Sequence, residues 1–320
     1  MEVNRIVIGT RGSKLALWQA NWVRDQLLGL YPHIEVELKV IKTTGDKILD
    51  VPLSKVGGKG LFVKEIEESL LSGESDIAVH SIKDVPTEFP DGLHLSVICH
   101  REDPTDALVL SPNVMASKRA DKAGLDALAE GAVVGTSSLR RSCQLLSIRP
   151  DLKIEQLRGN LDTRLRRLSE GFFDAIVLAS AGLKRLNVED AAIHALPVSV
   201  SLPAIGQGAV GIECRVADEA INALLVPLNH SVTSICVRAE RAFLKKLSGG
   251  CQVPIAAHAC FTASGTVKLD GLVGSVDGVV IIRGHAEGTV GTEEVIGTSL
   301  ADDMLRAGAK EILDEVYGNG

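Results

Sequence analysis

Along the first third of the chain, short segments with the apolar pattern of a strand alternate with segments that have the apolar spacing of a helix. Period-two patterns and short apolar runs predict strands at 6–8, 35–42 and 77–79, and helical spacing predicts helices at 15–30 and 62–71. Strands and helices therefore alternate, as they do in sheets whose parallel strands are joined by helical crossovers. The pattern predicts an α/β fold with mainly parallel sheets.

The same plan returns in the middle third of the chain. Residues 132–134 form an apolar run that leads through Gly135 into a helical pattern, as the first strand does. Asp76 and Asp174 each come directly before an apolar run that predicts a strand. We interpret the match as an internal duplication that produces two α/β domains of similar build.

Three domains are predicted. Domain 1 covers 1–104 plus 205–226 and contains a glycine-rich lid loop at 43–60, domain 2 covers 105–204, and domain 3 covers 227–320. Residues 201–208 have the Pro and Gly content of a hinge that returns the chain to domain 1, where 209–214 form one more strand.

Domain 3 differs in character from the first two. Its pattern predicts a helix over 231–247 with Gly249 as the C′ residue, then strands at 253–260, 266–273 and 279–285 and a final helix over 299–317. The third domain is therefore a smaller α+β domain.

Charge is concentrated in one stretch, residues 135–168. It carries eight Arg and Lys against three Asp and Glu, a local charge of +5 in a chain of net charge -7, so the rest sums to -12. Arg140 and Arg141 fall in the first turn of a predicted helix, where the helix dipole disfavours cations. A solvated helix face is one explanation; the other is a site for an anionic partner.

Composition narrows the classes of protein. Aromatic residues are only 3%, which leaves few stacking platforms for nucleic acid. No signal peptide and no membrane-spanning apolar run is recognisable. The six cysteines are scattered without a C-x-x-C pair, so we expect reduced thiols in the cytoplasm and no metal site.

Two single residues could carry chemistry. Cys251 follows two glycines in a loop, which favours an accessible thiol, although a lone cysteine is often a packed, inert one. Asp84 follows a buried strand and precedes Val85-Pro86; it either caps a turn or acts as a carboxylate at the ligand-binding end of the sheet. Ligands of open α/β sheets bind at the carboxyl ends of strands, where the sequence places Arg11, Asp84, Thr136 and Arg158.

Six blocks together resemble the hydroxymethylbilane synthase (porphobilinogen deaminase) family. They are GTRGSKLALWQA at 9–20, KTTGD at 42–46, GGKGLF at 57–62, VHSIKDVP at 79–86, GTSSLRR at 135–141 and GCQVPI at 250–255. The resemblance covers nearly the whole chain in order, and it implies that the first two α/β domains are periplasmic-binding-protein-like. Lys14 stands where bacterial members often have Pro.

The resemblance implies a transferase of tetrapyrrole (heme) biosynthesis. Such an enzyme joins four porphobilinogen units into linear hydroxymethylbilane, releases ammonia, and uses a dipyrromethane cofactor held by a thioether, here on Cys251. Asp84 would be the catalytic residue. Residues implied to bind cofactor and substrate carboxylates, or to lie beside them, are Arg11, Ser13, Lys83, Thr136, Ser137, Ser138, Arg140, Arg141, Arg158, Arg164 and Gln207. Lys59 and Phe62 would belong to the lid.

Two other classes of function compete with this one. A two-domain clamshell protein that binds a small anion would need neither a reactive cysteine nor a third domain. A nucleic-acid-binding module would use the arginines, but the acidic total and the scarce aromatics disfavour it. We expect a monomeric cytoplasmic enzyme whose partner is porphobilinogen, with no nucleic acid, membrane or metal partner.

Overall fold

A computed structural model describes residues 3–47, 63–117, 119, 122–190, 192–249 and 253–318. By its internal contacts the chain divides into two units, 1–102 with 209–235 and 103–208 with 236–320. The first unit is built on a five-stranded sheet. Its strands are β1 (Arg5–Thr10), β2 (Glu35–Val40), β3 (Ile77–Ser81), β4 (Leu93–Ile98) and β10 (Val210–Arg215), in the order β2-β1-β3-β10-β4. The predicted return of the chain to the first sheet after residue 208 is confirmed.

The second unit contains a sheet of the same order. Its strands are β5 (Asp106–Leu110), β6 (Val133–Gly135), β7 (Lys153–Glu155), β8 (Ala175–Ala179) and β9 (Ile193–Leu196), in the order β7-β6-β8-β5-β9. The predicted duplication is confirmed, and it extends to individual hydrogen bonds. Asp76 accepts a hydrogen bond from the backbone N–H of Val7 at 2.8 Å, and Asp174 accepts one from Val133 at 2.8 Å.

Both sheets are mixed, so the expectation of mainly parallel sheets was wrong for half of the pairings. Three neighbouring strands in each sheet are parallel, whereas β10 and β5 run antiparallel to both of their neighbours. β5 and β10 begin shortly after the chain passes from one unit to the other. They therefore enter their sheets without the crossover helix that a parallel connection requires.

Helices cover the sheets and follow the predicted spacing. They are Lys14–Leu30, Thr44–Lys47, Lys64–Leu71, Pro112–Met115, Leu139–Ile148, Leu161–Ser169, Ser180–Arg185, Glu219–Leu225, Ser231–Lys246, Glu293–Met304 and Lys310–Gly318, with 3-10 turns Ile82–Asp84, Gly124–Ala127 and Val226–Leu228. In the first unit, Val23 and Leu27 of the first helix pack on Ile6, Ile8 and Ile212 of the sheet.

The C-terminal part of the second unit is a smaller α+β assembly. Its antiparallel sheet has the order β11 (Ile255–Phe261), β12 (Val267–Gly274), β13 (Ile281–Gly288). Ala256 and Leu272 of this sheet share a hydrophobic cluster with Cys143 of the helix Leu139–Ile148. The α/β class with a smaller α+β part is confirmed, while the three domain boundaries stay a prediction.

Two predicted helix ends were wrong. The final helix begins at Glu293 rather than 299, and it is interrupted at Leu305–Ala309, where Gly308 has φ +103°. At the end of Ser231–Lys246 the left-handed residue is Ser248, with φ +53°, rather than Gly249. Ser248 and Gly249 donate to the carbonyls of Lys245 and Leu244, which is the Schellman arrangement with Ser248 at C′.

No single helix of the described ranges is long and apolar enough to cross a membrane. Only the consecutive helices Glu219–Leu228 and Ser231–Lys246 meet the length and composition test, and they do so together, across a bend of 108°.

Candidate functional site

Arg11 and Ser13 follow β1 at the carboxyl edge of the first sheet. Ser13 is the N-cap of the helix Lys14–Leu30, and its hydroxyl accepts a hydrogen bond from the N–H of Ala16 at 3.3 Å. The residue therefore has a structural task at the start of that helix. Arg11, half-buried, stands between strand and cap.

Lys83 and Asp84 follow β3, the parallel neighbour of β1, so they lie at the same edge of the sheet as Arg11. Both belong to the 3-10 turn Ile82–Asp84 and are half-buried. Within the described ranges, the Asp84 carboxylate makes no hydrogen bond or ion pair that would commit it to the fold. Among the described residues, Asp84 therefore does not cap the turn through a side-chain hydrogen bond.

The turn after β6 holds Thr136, Ser137 and Ser138 in the second unit. Thr136 is buried and its hydroxyl oxygen accepts from the N–H of Ser138 at 3.2 Å, while the Ser137 hydroxyl donates to the carbonyl of Leu157 at 2.8 Å. Ser138 is the N-cap residue of the helix Leu139–Ile148, but its side chain makes no capping bond. The N–H of Arg141 donates instead to the backbone carbonyl of Ser138 at 3.0 Å.

Arg140 and Arg141 point inward from the first turn of this helix to one carboxylate, Asp106. Arg140 donates to it from Nη1 at 2.7 Å and from Nη2 at 3.1 Å, and Arg141 donates from Nε at 3.0 Å and from Nη2 at 2.8 Å. Asp106 is fully buried, and the arginines are 4% and 6% exposed. This pairing explains why two arginines tolerate an unfavourable place in the helix dipole.

Burial and charge act against each other in this cluster. Burial alone would raise the pKa of the Asp106 carboxyl, but the Arg140 and Arg141 guanidinium groups outweigh it and hold that pKa well below its usual range. Burial lowers the pKa of Arg141, and the Asp106 carboxylate opposes that change. Two guanidinium groups against one carboxylate leave a buried net charge of +1.

Arg158 and Arg164 surround the turn between β7 and the helix Leu161–Ser169. Gly159 there has φ +105°, a conformation that side-chain-bearing residues rarely adopt. Its carbonyl accepts from Nε of Arg164 at 2.9 Å, and Asn160 caps the helix by accepting from the N–H of Thr163 at 3.0 Å. Both arginines are half-buried and placed at the carboxyl end of β7.

Gln207 lies in the predicted hinge but is fixed by its contacts. Its side-chain amide donates to the carbonyl of Pro104 at 2.8 Å and to Asp106 at 3.0 Å, and the residue is 1% exposed. The neighbouring Gly206 donates its N–H to the buried carboxylate of Glu240 at 2.6 Å. The segment 201–208 is therefore held firmly in the second unit.

Two family models match this chain: "Porphobilinogen deaminase, dipyromethane cofactor binding domain" over residues 6–223, and "Porphobilinogen deaminase, C-terminal domain" over residues 234–306. The chain belongs to the porphobilinogen deaminase family. Relatives named porphobilinogen deaminase include that of Geobacter sulfurreducens, 54% identical over 99% of this chain and 96% of its own length. That of Trichlorobacter lovleyi is 54% identical over 99% and 98%.

Among solved structures, more distant proteins match. The probable amino-acid ABC transporter extracellular-binding protein ytmK from Bacillus subtilis is 13% identical, with a TM-score of 0.43 over 71% of this chain and 90% of that one. The BenM effector binding domain with benzoate is 14% identical, with a TM-score of 0.42 over 71% of this chain and 91% of that one.

Three residues that the porphobilinogen deaminase resemblance implies, Cys251, Lys59 and Phe62, lie outside the described residues. The five described cysteines are free thiols, and burial raises the pKa of Cys143 to about 11, as expected for an inert packed thiol. The described ranges contain no group of three or more His, Cys, Asp or Glu that could hold a metal ion.

The side chains of the second unit fit a cofactor that carries several carboxylates. The buried excess of positive charge at Arg140 and Arg141 is of the kind that binds anions.

Sequence reasoning missed Asp106 and Ser201, whose hydroxyl donates to Asp106 at 2.7 Å. The ligand residues that the sequence predicts lie at the carboxyl ends of strands. Because β5 is antiparallel to β8, its first residue, Asp106, pairs with Ala179 at the carboxyl end of β8. A signal was present in the sequence: a lone Asp at the start of an otherwise apolar strand, DALVL.

Proposed function

We propose that the chain is a hydroxymethylbilane synthase. It joins four porphobilinogen molecules head to tail and adds one water, giving linear hydroxymethylbilane and four molecules of ammonia. The single observation that carries the proposal is the match of both porphobilinogen deaminase family models along the chain. A dipyrromethane group bound through a thioether to Cys251 supplies the primer on which the chain of pyrroles grows.

Asp84 is proposed as the catalytic residue. Each addition breaks the C–N bond of the substrate's aminomethyl group, forms a C–C bond and frees one proton. A carboxylate stabilises the positive charge that develops on the substrate, and it can accept that proton. The carboxylate of Asp84 has no hydrogen-bond partner among the described residues and lies at the carboxyl edge of the first sheet, which supports this role.

The basic residues are proposed to bind the acetate and propionate groups of substrate and cofactor. These are Arg11, Lys83, Arg140, Arg141, Arg158 and Arg164, with Ser13 and Ser138 as hydroxyl donors. Charge-assisted hydrogen bonds are about twice as strong as neutral ones, which suits a product that gains carboxylates with each addition. Thr136, Ser137 and Gln207 bond mainly to the protein itself, so we assign them the task of holding this surface in place. Lys59 and Phe62 are assigned to the lid.

We further propose that the enzyme works as a monomer in the cytoplasm. Five free thiols support a reducing compartment. Light scattering on the purified protein tests the oligomeric state.

The activity is tested by incubating the purified protein with porphobilinogen. We expect one ammonia for each porphobilinogen consumed and a linear tetrapyrrole as the product. If porphobilinogen binds but is neither consumed nor deaminated, the small-anion-binding class replaces this proposal.

A further inference from the structure

One buried carboxylate of the second unit, Asp106, accepts hydrogen bonds from four polar side chains. Asp106 accepts two hydrogen bonds from Arg140, two from Arg141, one from the Ser201 hydroxyl at 2.7 Å and one from Gln207 at 3.0 Å. It sits at the edge of the sheet where β6 and β8 end. The contacts therefore fix the two guanidinium groups at that edge.

The arginines are held from a second side by backbone carbonyls. Nη1 of Arg140 donates to the carbonyl of Leu202 at 2.8 Å, and Nη1 of Arg141 donates to that of Val177 at 2.9 Å. Gln144 locks the Leu202 backbone in turn, accepting from its N–H at 2.7 Å. Neither guanidinium can turn without breaking several bonds.

The cluster of Asp106, Arg140 and Arg141 has a net positive charge and N–H donors without an acceptor among the described residues. Two guanidinium groups carry ten N–H donors in all. Six of these donate to acceptors within the described ranges, three from each arginine, which leaves four. One carboxylate against two guanidinium groups leaves a net charge of +1 that no described side chain neutralises. A buried charge of this kind favours an anionic ligand.

We propose that Asp106 is a positioning residue of the synthase: it holds Arg140 and Arg141 in fixed orientations so that their remaining donors meet ligand carboxylates without rearrangement. The inference rests on the function proposed above. A fixed donor pair loses little conformational freedom on binding, whereas two free arginine side chains would lose much.

Asp106→Asn gives a test in which two explanations predict opposite signs. The substitution raises the net charge of the cluster from +1 to +2, so charge alone predicts tighter binding and a lower KM. Loss of positioning predicts a higher KM for porphobilinogen, by about tenfold or more, or additions that stop early. KM is compared only between preparations whose intact mass includes the cofactor. The same mass measurement counts the pyrroles bound to each variant.

Asp151→Asn is the matched control. Asp151 also pairs with an arginine of the second unit, Arg149, at 2.7 Å, but on the partly exposed surface. We expect its KM to stay within about twofold of wild type. Asp106→Glu, which keeps the charge, should recover part of the lost binding.

Three outcomes decide the matter. Cofactor-loaded Asp106→Asn with wild-type KM and wild-type intermediates overturns the positioning role. If Asp106→Asn does not fold, Ser201→Ala and Asp106→Glu replace it; melting temperatures that fall while KM stays at the wild-type value make the cluster purely structural. A wild-type protein that leaves porphobilinogen unchanged overturns the proposed function and this inference with it.

Discussion

At the scale of single residues, the candidate functional side chains of the two units are of two kinds. Asp84 has no described partner and stands at the end of a parallel strand. Arg140 and Arg141 are instead bound to Asp106 and nearly closed to water. The first arrangement suits a group that meets changing charge during a reaction, and the second suits a constant field.

Asp84→Asn should fold normally and lose turnover by about 10²–10³-fold, because a neutral amide cannot stabilise a developing cation as a carboxylate does. Steady-state consumption of porphobilinogen and a thermal melt check both parts. Asp91→Asn, a change at an exposed aspartate of the same unit, serves as the control and should keep wild-type turnover. Near-wild-type activity of the Asp84 variant would refute the assigned role.

At the scale of elements, the sequence predicted the existence of most strands and helices, and it missed the direction of two strands. The apolar run of Asp106–Leu110 indicates a buried strand but not its antiparallel pairing, since the apolar pattern of a buried strand is the same in both directions. The role of Asp106 depends on that direction. The N-cap of the helix Leu139–Ile148 shows the complementary case, because a local signal, a serine at 137 or 138 before a helical pattern, indicates it without any long-range information.

The helix Lys64–Leu71 brings a carboxyl group into a buried acidic neighbourhood. Burial raises the pKa of Glu67 to about 7, with Glu213 and Glu68 adding to the effect and His80 opposing it. His80 and Glu213 lie on adjacent strands, and Nε2 of His80 is 2.9 Å from Oε2 of Glu213. The folded protein therefore holds the Glu67 proton more tightly than the unfolded chain does.

It follows that the stabilising contribution of neutral Glu67 is complete below about pH 4.5 and is lost as the pH rises through about 7. Glu67→Gln, which is neutral at every pH, should match wild type near about pH 5 and melt about 2 °C or more above it near about pH 8. Glu68→Gln, a change at an exposed neighbour on the same helix, should show no such dependence. If the melting temperatures of wild type and Glu67→Gln differ by the same amount at both pH values, the raised pKa of Glu67 is refuted.

At the scale of the whole molecule, a duplicated α/β plan and a smaller α+β part were readable from the sequence. The duplication shows in the sequence as an Asp before an apolar strand in each half. In the structure Asp76 and Asp174 perform the same task, because each accepts a hydrogen bond from the backbone of the neighbouring strand. The contact-based division was not readable: it joins 103–208 with 236–320, since Cys143, Ala256 and Leu272 pack together over long sequence separation. Such packing leaves no periodic signal in either segment.

The central claim is that the chain carries its own primer on Cys251, and intact mass with a peptide map tests it most directly. We predict an excess equal to two linked pyrroles, located on the peptide that contains Cys251. Cys251→Ser should lack this excess, whereas Cys260→Ser, a change at another cysteine and an exposed one, should retain it. A chain of unmodified mass that stays unmodified after porphobilinogen is added would contradict the account.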